Sequence, residues 1–380
     1  MNHTKEHFHL AGLPAEERIF SFPKTIRLVV THKCNLSCSF PTRSNQNRRR
    51  KWCHSEGLDG TGLQDTPIKD YIKAACLIRD SFQVRSVRLA GLEATLREDL
   101  CDFIRALRSE GFEDISLSTN GTNLAGLVAS LKKAGLGRIN ISLPSFDRFI
   151  YQRITGRDSL NDVLTAITTA QDAGFAPVKV NRLLLRGFDK DIPSFLEWAY
   201  QRKLTVRFHQ LLWSESISDI YYRYHVPWQQ YLPKWLCDAE KISVNSYLMS
   251  GRSRFKFALR NGAFVEADQF TPQLSLSCCR NCQYNLQCPG RQEGVLGCGF
   301  RVTPSLRLTP CMLRASLSIP LIPLLNSLSY GVHDAVSELY KTLKSILGVE
   351  NLHSPLAERG DLFSHWNSLS HRQNLCAWLP

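Results

Sequence analysis

No stretch of the sequence approaches the roughly 18 consecutive apolar residues that a membrane-spanning helix needs, so a transmembrane protein is not expected. The 380 residues also lack the bias of disordered or collagen-like chains, because 43% are apolar and 21% are charged. Walker A, GxGxxG, HExxH and GxSxG motifs are absent, which disfavours an ATPase, a dehydrogenase, a zinc protease or a serine hydrolase. A globular protein long enough for two or three domains remains.

The N-terminal segment lacks the basic start, apolar run and cleavage site of a secretory signal, which predicts a cytoplasmic protein. That compartment keeps thiols reduced, so the 13 cysteines are expected to bind metal or iron–sulfur clusters rather than form disulfides. Two groups of cysteines predict two metal sites. The first group is Cys34, Cys38 and Cys53, and the second is Cys278, Cys279, Cys282, Cys288, Cys298 and Cys311. The other cysteines stand alone and are expected to be small buried side chains.

From Thr25 to about His209, short β-branched segments alternate with longer amphipathic ones, a pattern typical of a parallel sheet covered by helices. The predicted strands are Ile26–Thr31, Ser86–Ala90, Ile115–Ser118, Arg138–Leu143, Pro177–Leu185 and Thr205–His209. The predicted helices are Thr66–Ser81, Glu98–Glu110, Leu124–Ala134, Leu160–Ala173 and Ile192–Gln201. Repeated right-handed βα crossovers favour an α/β fold with a partial (β/α)6 barrel of the TIM type, whose functional groups lie at the carboxyl ends of the strands. An open, doubly wound sheet is the alternative, since periodicity alone does not report closure.

The alternation ends near residue 213, which predicts a barrel at residues 25–213 preceded by an extension at residues 1–24. Residues 214–275 are predicted to be mixed helix and loop. They begin a cysteine-rich C-terminal region at residues 214–330, which is followed by a helical and irregular tail at residues 331–380.

The first predicted strand leads into the run THKCNLSCSF at residues 31–40. This run resembles the cluster loop of radical S-adenosylmethionine (SAM) enzymes, in which a Cys-x3-Cys-x2-Cys spacing holds three irons of a [4Fe–4S] cluster and leaves the fourth for SAM. Cys34 and Cys38 match the first two ligands, and Pro41 stands at the third position. Cys53 begins the family-like run CHSEG, and removal of residues 41–52 would restore the spacing.

We therefore infer an inserted basic loop at residues 41–52 and a ligand set of Cys34, Cys38 and Cys53. A loop of this length closes at modest entropic cost. The alternatives are an enzyme that has lost its cluster and an insertion that comes from a misassembled reading frame.

Segments after the next strands resemble the SAM-binding motifs of the same family. RLAGLEATLR at residues 88–97 is similar to RLTGGEPLLR, LSTNG at 117–121 to LTTNG, and ISLPS at 141–145 to VSLDS. Leu92, Ala94 and Pro144 depart from the family pattern. The residues that the resemblance implies in SAM binding are Gly91, Glu93, Ser118 or Thr119, and Ser142.

RITGRD at residues 153–158 and PVKVN at 177–181 narrow the resemblance to the GTP 3',8-cyclases of molybdenum cofactor biosynthesis, which are lyases. This likeness covers residues 25–210. It implies that Arg88, Lys179 and Arg207 line a pocket for a polyanionic small molecule such as GTP, and convergent basic side chains suit a triphosphate. It also implies a low-potential electron donor such as a flavodoxin or a ferredoxin.

RVTPSLRLTPC at residues 301–311 is similar to the cyclase segment that ends in a ligand of an auxiliary [4Fe–4S] cluster. A Cys-x2-Cys-x5-Cys group lies upstream, so the implied ligand set is Cys279, Cys282, Cys288 and Cys311. A structural zinc ion held by the same four thiolates is the alternative.

The leading hypothesis is a radical SAM enzyme that cleaves SAM reductively to a 5'-deoxyadenosyl radical, which abstracts hydrogen from GTP or another anionic substrate. The alternative is a degenerate, non-catalytic relative that keeps the barrel and the C-terminal metal site, as Pro41, Leu92 and Ala94 would allow. A nucleic-acid-binding protein is a third hypothesis, prompted by the net charge of +13 and the run RRRKW at residues 48–52. Such a charge run is more often a solvated surface loop, so neither a nucleic acid nor a membrane is an expected partner.

Overall fold

The computed structural model describes most of the barrel and parts of the C-terminal region. The described residues are 17–19, 25–38, 65–211, 213, 218–231, 235, 238–247, 252–260, 262–270, 282, 300–311, 314–327 and 332–347. The strands are β1 (Glu17–Ile19), β2 (Thr25–Val29), β3 (Ser86–Ala90), β4 (Asp114–Thr119), β5 (Arg138–Ser142), β6 (Lys179–Leu184), β7 (Thr205–Gln210), β8 (Ala239–Tyr247), β9 (Arg252–Leu259), β10 (Phe264–Phe270), β11 (Phe300–Val302), β12 (Arg307–Thr309) and β13 (Ile319–Pro320).

The α-helices are α1 (Ile68–Phe82), α2 (Leu100–Ser109), α3 (Val128–Lys133), α4 (Arg148–Thr155), α5 (Leu160–Asp172), α6 (Ile192–Gln201), α7 (Ser218–Tyr224), α8 (Ile322–Ser327) and α9 (Val332–Leu347). Short 3-10 turns lie at Ala94–Leu96, Ala125–Leu127, Trp228–Tyr231 and Ala315–Leu317. None of the helices in these ranges is both long and apolar enough to cross a membrane.

The six predicted parallel strands are all present and pair in chain order as β2 to β7. They form the centre of a sheet with the order β1-β8-β9-β10-β7-β6-β5-β4-β3-β2-β11-β12-β13. The five predicted helices are confirmed as α1, α2, α3, α5 and α6, although α3 is shorter than expected and begins after a 3-10 turn. Helix α4 is an addition, with the side chain of Asp147 accepting a hydrogen bond from the Ile150 amide at its start (2.8 Å).

The two faces of the central strands differ in polarity, because side chains alternate between them. One face is apolar, fully buried and packed against the helices; it carries Ile26, Leu28, Val87, Leu89, Ile115, Leu117, Ile139, Ile141, Val180, Val206 and Phe208. The other face, which we call the polar face, carries Arg88, Ser118, Ser142, Lys179, Asn181, Arg207 and His209. A doubly wound sheet buries both faces against helices, so this polarity favours the barrel.

The prediction of mixed helix and loop at residues 214–275 is wrong for the part that forms β8, β9 and β10. β9 and β10 form an antiparallel pair, and β10 also pairs in parallel with β7, which places Glu266 directly opposite Arg207. The alternation of Phe255 and Phe257 with Lys256 is the strand signal that residue composition obscured. β10 therefore extends the polar face by one further parallel strand.

The C-terminal region contributes directly to the same sheet. β11 pairs in parallel with β2, and the Phe300 ring stacks on Phe82 of α1 with centroids 4.4 Å apart. The Tyr340 ring of α9 also stacks on Phe82, with ring centroids 5.6 Å apart. Helix α9 lies within the tail predicted at residues 331–380, and the rest of that tail lies outside the described residues.

Candidate functional site

The predicted cluster loop, residues 31–38, follows the carboxyl end of β2 and holds Cys34 and Cys38 as half-buried thiols. Its middle is fixed by the Ser37 amide, which donates to the Thr155 carbonyl at the end of α4 (3.0 Å). The Leu36 amide donates to the Cys34 sulfur (3.4 Å). Hydrogen bonds of this kind stabilise negative charge on a cysteine sulfur, which is the form that binds iron.

An amide network ties the loop to the end of β4. The Asn120 side chain donates to the Asn35 side-chain oxygen (2.9 Å), and Asn35 in turn donates to the Thr122 hydroxyl (2.7 Å). The Thr122 hydroxyl closes the network by donating to Asn120 (2.8 Å). Sequence reasoning missed these positioning residues, although Asn35 lies inside the cysteine motif and Asn120 lies in the run LSTNG at residues 117–121.

The chemistry of the thiols fits an iron–sulfur cluster. Burial, followed by the neighbouring Cys34, raises the pKa of Cys38 to about 12, so a cation must displace its proton before the sulfur becomes anionic. No group of three or more potential metal ligands occurs within the described part of the chain. Cys53, the predicted third ligand, lies outside that part. The structure therefore describes two of the three predicted cluster ligands, both in a fixed loop, and the third ligand, Cys53, stays a prediction.

The loop after β3 packs edge to edge against the cysteine loop. The Leu92 amide donates to the Thr31 carbonyl (3.3 Å), and the Glu93 amide donates to the Lys33 carbonyl (2.9 Å). A side chain at Gly91 would place its Cβ 2.9 Å from the Thr31 carbonyl oxygen, so only glycine fits this approach. Gly91 is therefore explained by packing of the two loops, whether or not its backbone also contacts a ligand.

Glu93 is fully buried and its carboxylate is used by the protein itself. One oxygen accepts from the Thr95 amide (3.1 Å), the Thr95 hydroxyl (2.6 Å) and the Thr119 hydroxyl (2.6 Å). The other accepts from the Asn120 amide (2.6 Å). Burial raises the pKa of Glu93, and these donors oppose the increase. The carboxylate joins the ends of β3 and β4, so only its second oxygen retains a position for the amino group of SAM.

The structure separates Ser118 and Thr119, the two alternatives for the SAM-binding hydroxyl at the end of β4. Thr119 is buried and bonded to Glu93, whereas Ser118 lies on the polar face, half-buried. Ser142 is exposed on the polar face at the end of β5. Ser118 and Ser142 are therefore the two predicted hydroxyls that point towards the same space.

Two of the three predicted basic residues meet around a carboxylate that was not predicted. The Lys179 ammonium lies 2.9 and 2.8 Å from the two oxygens of Glu266. Arg207 donates to Glu266 through Nε (2.8 Å) and a terminal nitrogen. Burial would raise the pKa of Glu266, but Arg207 and Lys179 lower it to about 2. A second pair, Arg254 and Asp268, lies beside this cluster with contacts of 2.8 and 3.0 Å.

This cluster predicts a specific acid response. A glutamate whose folded pKa lies near 2 stabilises the fold above its unfolded pKa of about 4.3, and that stabilisation disappears as the pH falls towards 2. The stability difference between wild type and Glu266→Gln should therefore be large at pH 5 and narrow at pH 2.5. Urea unfolding at both values measures it, and a constant difference would contradict the assignment.

Arg88 lies in a row of arginines on the polar face. Its register partner on β2 is Arg27, and the partner of Arg27 on β11 is Arg301. Sequence reasoning named only Arg88, although Arg27 alternates with buried residues of the first predicted strand in the same way. The polar face is therefore basic along β11, β2 and β3 as well as around Glu266.

His209 is a further polar-face residue that the sequence did not single out. Burial and Arg207 lower the pKa of His209 to about 3, so the ring is neutral near pH 7. Its Nε2 lies 3.4 Å from the side-chain oxygen of Asn181 on β6. A neutral ring at a strand end can donate or accept a hydrogen bond to a ligand.

The second cysteine group is only partly described. Cys282 and Cys311 are half-buried, and Cys279 and Cys288 lie outside the described residues. Cys311 follows β12, which is antiparallel to β11, so it lies by register at the amino ends of β11 and β2. Cys34 follows the opposite end of β2, and the polar face lies between the two cysteines.

Comparisons with known proteins identify the family of this chain. The sequence profile of the Radical SAM superfamily matches residues 28–199. A protein named "Probable GTP 3',8-cyclase" from Methanothermobacter thermautotrophicus is 29% identical over 292 residues, 76% of this chain and 84% of that relative. Another of that name from Saccharolobus islandicus is 30% identical over 241 residues, 63% of this chain and 72% of the relative. Streptococcus suis SuiB bound to precursor peptide SuiA aligns with a TM-score of 0.49 and 14% identity, over 77% of this chain and 60% of that one. The chain belongs to the radical SAM superfamily.

Proposed function

We propose that this protein is a radical SAM enzyme that acts on an anionic small molecule bound at the polar face. The observation that carries the proposal is that the cysteine loop, Ser118 and Ser142 lie at the carboxyl ends of parallel strands whose shared polar face carries the basic side chains. Relatives named as probable GTP 3',8-cyclases support a cyclase or lyase reaction and make GTP the first substrate to test.

Each part of the site has a defined task in this proposal. Cys34, Cys38 and Cys53 would hold the first [4Fe–4S] cluster, which would supply the electron for reductive cleavage of SAM; the 5'-deoxyadenosyl radical released by that cleavage would abstract hydrogen from the substrate. Ser118, Ser142 and the backbone at residues 91–93 position SAM beside that cluster. Asn35 keeps the loop fixed through Asn120.

The substrate is held by charge and shielded by the barrel. Arg88, Lys179 and Arg207 supply the positive field of the polar face, and charged groups act more strongly there because little water surrounds them. Cys279, Cys282, Cys288 and Cys311 are proposed to bind an auxiliary [4Fe–4S] cluster, which lies towards the amino ends of the strands. A low-potential flavodoxin or ferredoxin would deliver the electron.

The decisive experiment compares wild type with Cys38→Ala after anaerobic reconstitution. Wild type should hold about eight irons per chain and show a reduced-cluster EPR signal that changes when SAM is added. Cys38→Ala should lose about half of the iron, the response to SAM and the formation of 5'-deoxyadenosine. Cys101→Ala, at a half-buried cysteine of α2, is the matched control and should behave as wild type.

Two results would contradict the proposal. One is a full SAM response in Cys38→Ala, because the loop would then not bind the catalytic cluster. The other is a wild-type chain that binds iron but never cleaves SAM, even after removal of residues 41–52, which would favour the non-catalytic alternative. If the second cysteine group binds zinc and not iron, the proposed catalytic site is unaffected and only the assignment of an auxiliary [4Fe–4S] cluster is wrong.

A further inference from the structure

We propose that Glu266 determines substrate specificity by pairing with the cations Lys179 and Arg207. Because this carboxylate engages both cations, the site selects a substrate with a single anionic group and disfavours a triphosphate. The inference rests on the proposed function only in placing the substrate at the polar face. Arg88, Lys179 and Arg207 predict a polyanionic substrate such as GTP, and the inference narrows that class to substrates with one anionic group.

The contact geometry shows that both cations are committed. The Lys179 ammonium contacts both oxygens of the Glu266 carboxylate, and Arg207 contacts one of them through two nitrogens. Arg207 and Glu266 are each 5% exposed, and the Lys179 side chain is 15% exposed. Charge-assisted bonds of this kind, shielded from water, are stronger than the same bonds at a surface.

A phosphate chain that reached these cations would meet the carboxylate as well. Two anions cannot share Lys179 and Arg207 without like-charge repulsion, and repulsion is strong where water is excluded. The alternative, displacement of Glu266, would leave a carboxylate in a buried position without its partners. Both routes weaken the binding of an anionic ligand, and the loss grows with the number of negative charges that the ligand places near Lys179 and Arg207.

The charges of the surrounding groups point to the same substrate class. Lys179, Arg207 and Arg254 supply three positive charges, and Glu266 and Asp268 supply two negative charges, so these five groups carry a net charge of +1. Around Glu266 a single carboxylate or phosphate matches that charge, and the further charges of a triphosphate could be met only by the arginine row of β11, β2 and β3.

Glu266→Gln tests the inference directly, with GTP and GMP as probes whose binding to the reconstituted full chain is measured by calorimetry without reductant. Wild type should bind GTP no more than about threefold more tightly than GMP. Glu266→Gln keeps the shape of the side chain but frees the two cations, and should increase the preference for GTP over GMP by tenfold or more. Glu197→Gln, an exposed carboxylate on α6, is the control and should leave the preference unchanged.

A second variant keeps the test informative if Glu266→Gln folds poorly. Lys179→Gln leaves Glu266 paired with Arg207, so folding should be retained. Removal of Lys179 takes one positive charge from the cluster and should weaken the binding of GTP and of GMP to a similar extent, so the ratio of the two affinities should stay within about threefold of wild type. A tenfold or greater fall of the GTP preference in Lys179→Gln, or no gain of GTP preference in a folded Glu266→Gln, would overturn the inference.

The outcome is independent of the radical chemistry. Failure of SAM cleavage would remove the proposed function and leave the nucleotide preference as measured. Conversely, a wild-type chain that cleaves SAM and binds GTP tightly through Lys179 would support the proposed function and refute the role assigned to Glu266.

Discussion

The Asp191→Asn variant is expected to unfold about 5–15 °C below wild type, a loss of roughly 3–5 kcal/mol. Asp191 is the counter-charge of Arg182, which is completely buried on the apolar face of β6. Its carboxylate also accepts from the Ser145 hydroxyl (2.7 Å) and the Phe146 amide (2.7 Å), which fixes the loop after β5. Asparagine keeps the size of the side chain and removes the charge, so the Arg182 guanidinium is left buried without compensation.

The matched control is Asp158→Asn, because Asp158 pairs with Arg148 at the surface, where solvent screens the pair. Thermal unfolding of both variants should show a large change for Asp191 and little change for Asp158. The double variant Arg182→Met with Asp191→Asn should recover part of the loss, since no buried cation remains. Equal effects of the two single variants would show that the buried pair does not support the fold.

The same pair has a pH signature. Burial would raise the pKa of Asp191, but hydrogen bonds from Arg182 and its charge hold that pKa below the ordinary value. The stabilisation from a carboxylate with a lowered pKa is complete above its unfolded pKa of about 3.9 and disappears as the pH falls further. The gap between wild type and Asp191→Asn should therefore close in acid.

The Gly156→Ala substitution is expected to disturb the cysteine loop, residues 31–38, more than a methyl group added at any other glycine that the structure describes. Gly156 ends α4 with a φ of 72°, and an added Cβ would lie 2.6 Å from the Ser37 carbonyl oxygen. Left-handed backbone costs a non-glycine residue roughly 1–2 kcal/mol, and the contact also forces Ser37 to move. Because Cys38 is the next residue, we expect most of the iron of the first cluster to be lost after reconstitution.

Gly174→Ala separates the two contributions. Gly174 also has a left-handed φ, of 76°, but an added Cβ would meet nothing within 4 Å. It should share the loss of stability and keep its iron. In metal-free protein, peptide-resolved iodoacetamide labelling of Cys38 should be several times faster in Gly156→Ala than in Gly174→Ala. Equal labelling rates would show that the α4 terminus does not constrain the loop.

The barrel was predictable because its signal is local. Each of the strands β2 to β7 alternates buried and polar residues, and each predicted helix places apolar residues at helical spacing. The same rule applied to residues 252–270 would have found β9 and β10. The loss of the βα alternation after residue 213 instead predicts mixed helix and loop there, which hides these strands.

The sequence predicts which motifs belong to the site, but it does not predict which side chains contact one another there. Cys34, Cys38 and the residues around Glu93 lie in short recognisable runs, so their presence follows from the sequence alone. The bond between Arg207 and Glu266 joins residues 59 positions apart, and the bond between Asn35 and Asn120 joins residues 85 positions apart. Such pairs depend on strand order and register, which the pattern of one strand does not contain. The carboxylate that neutralises the predicted cations was therefore visible only in the fold.

The polar face is built from two stretches of chain, one that matches the superfamily and one that lies beyond that match. The stretch that matches the superfamily, residues 28–199, contains the first cysteine loop and Lys179. Glu266 and Asp268 lie beyond it, on the strand that follows the β8–β9 hairpin. Lys179 therefore lies in the same stretch as the first cysteine loop, whereas the carboxylate proposed to determine substrate choice lies outside that stretch. Exchange of residues 239–270 between relatives would offer an evolutionary route, and an engineering one, to new substrates without altering the cofactor loops.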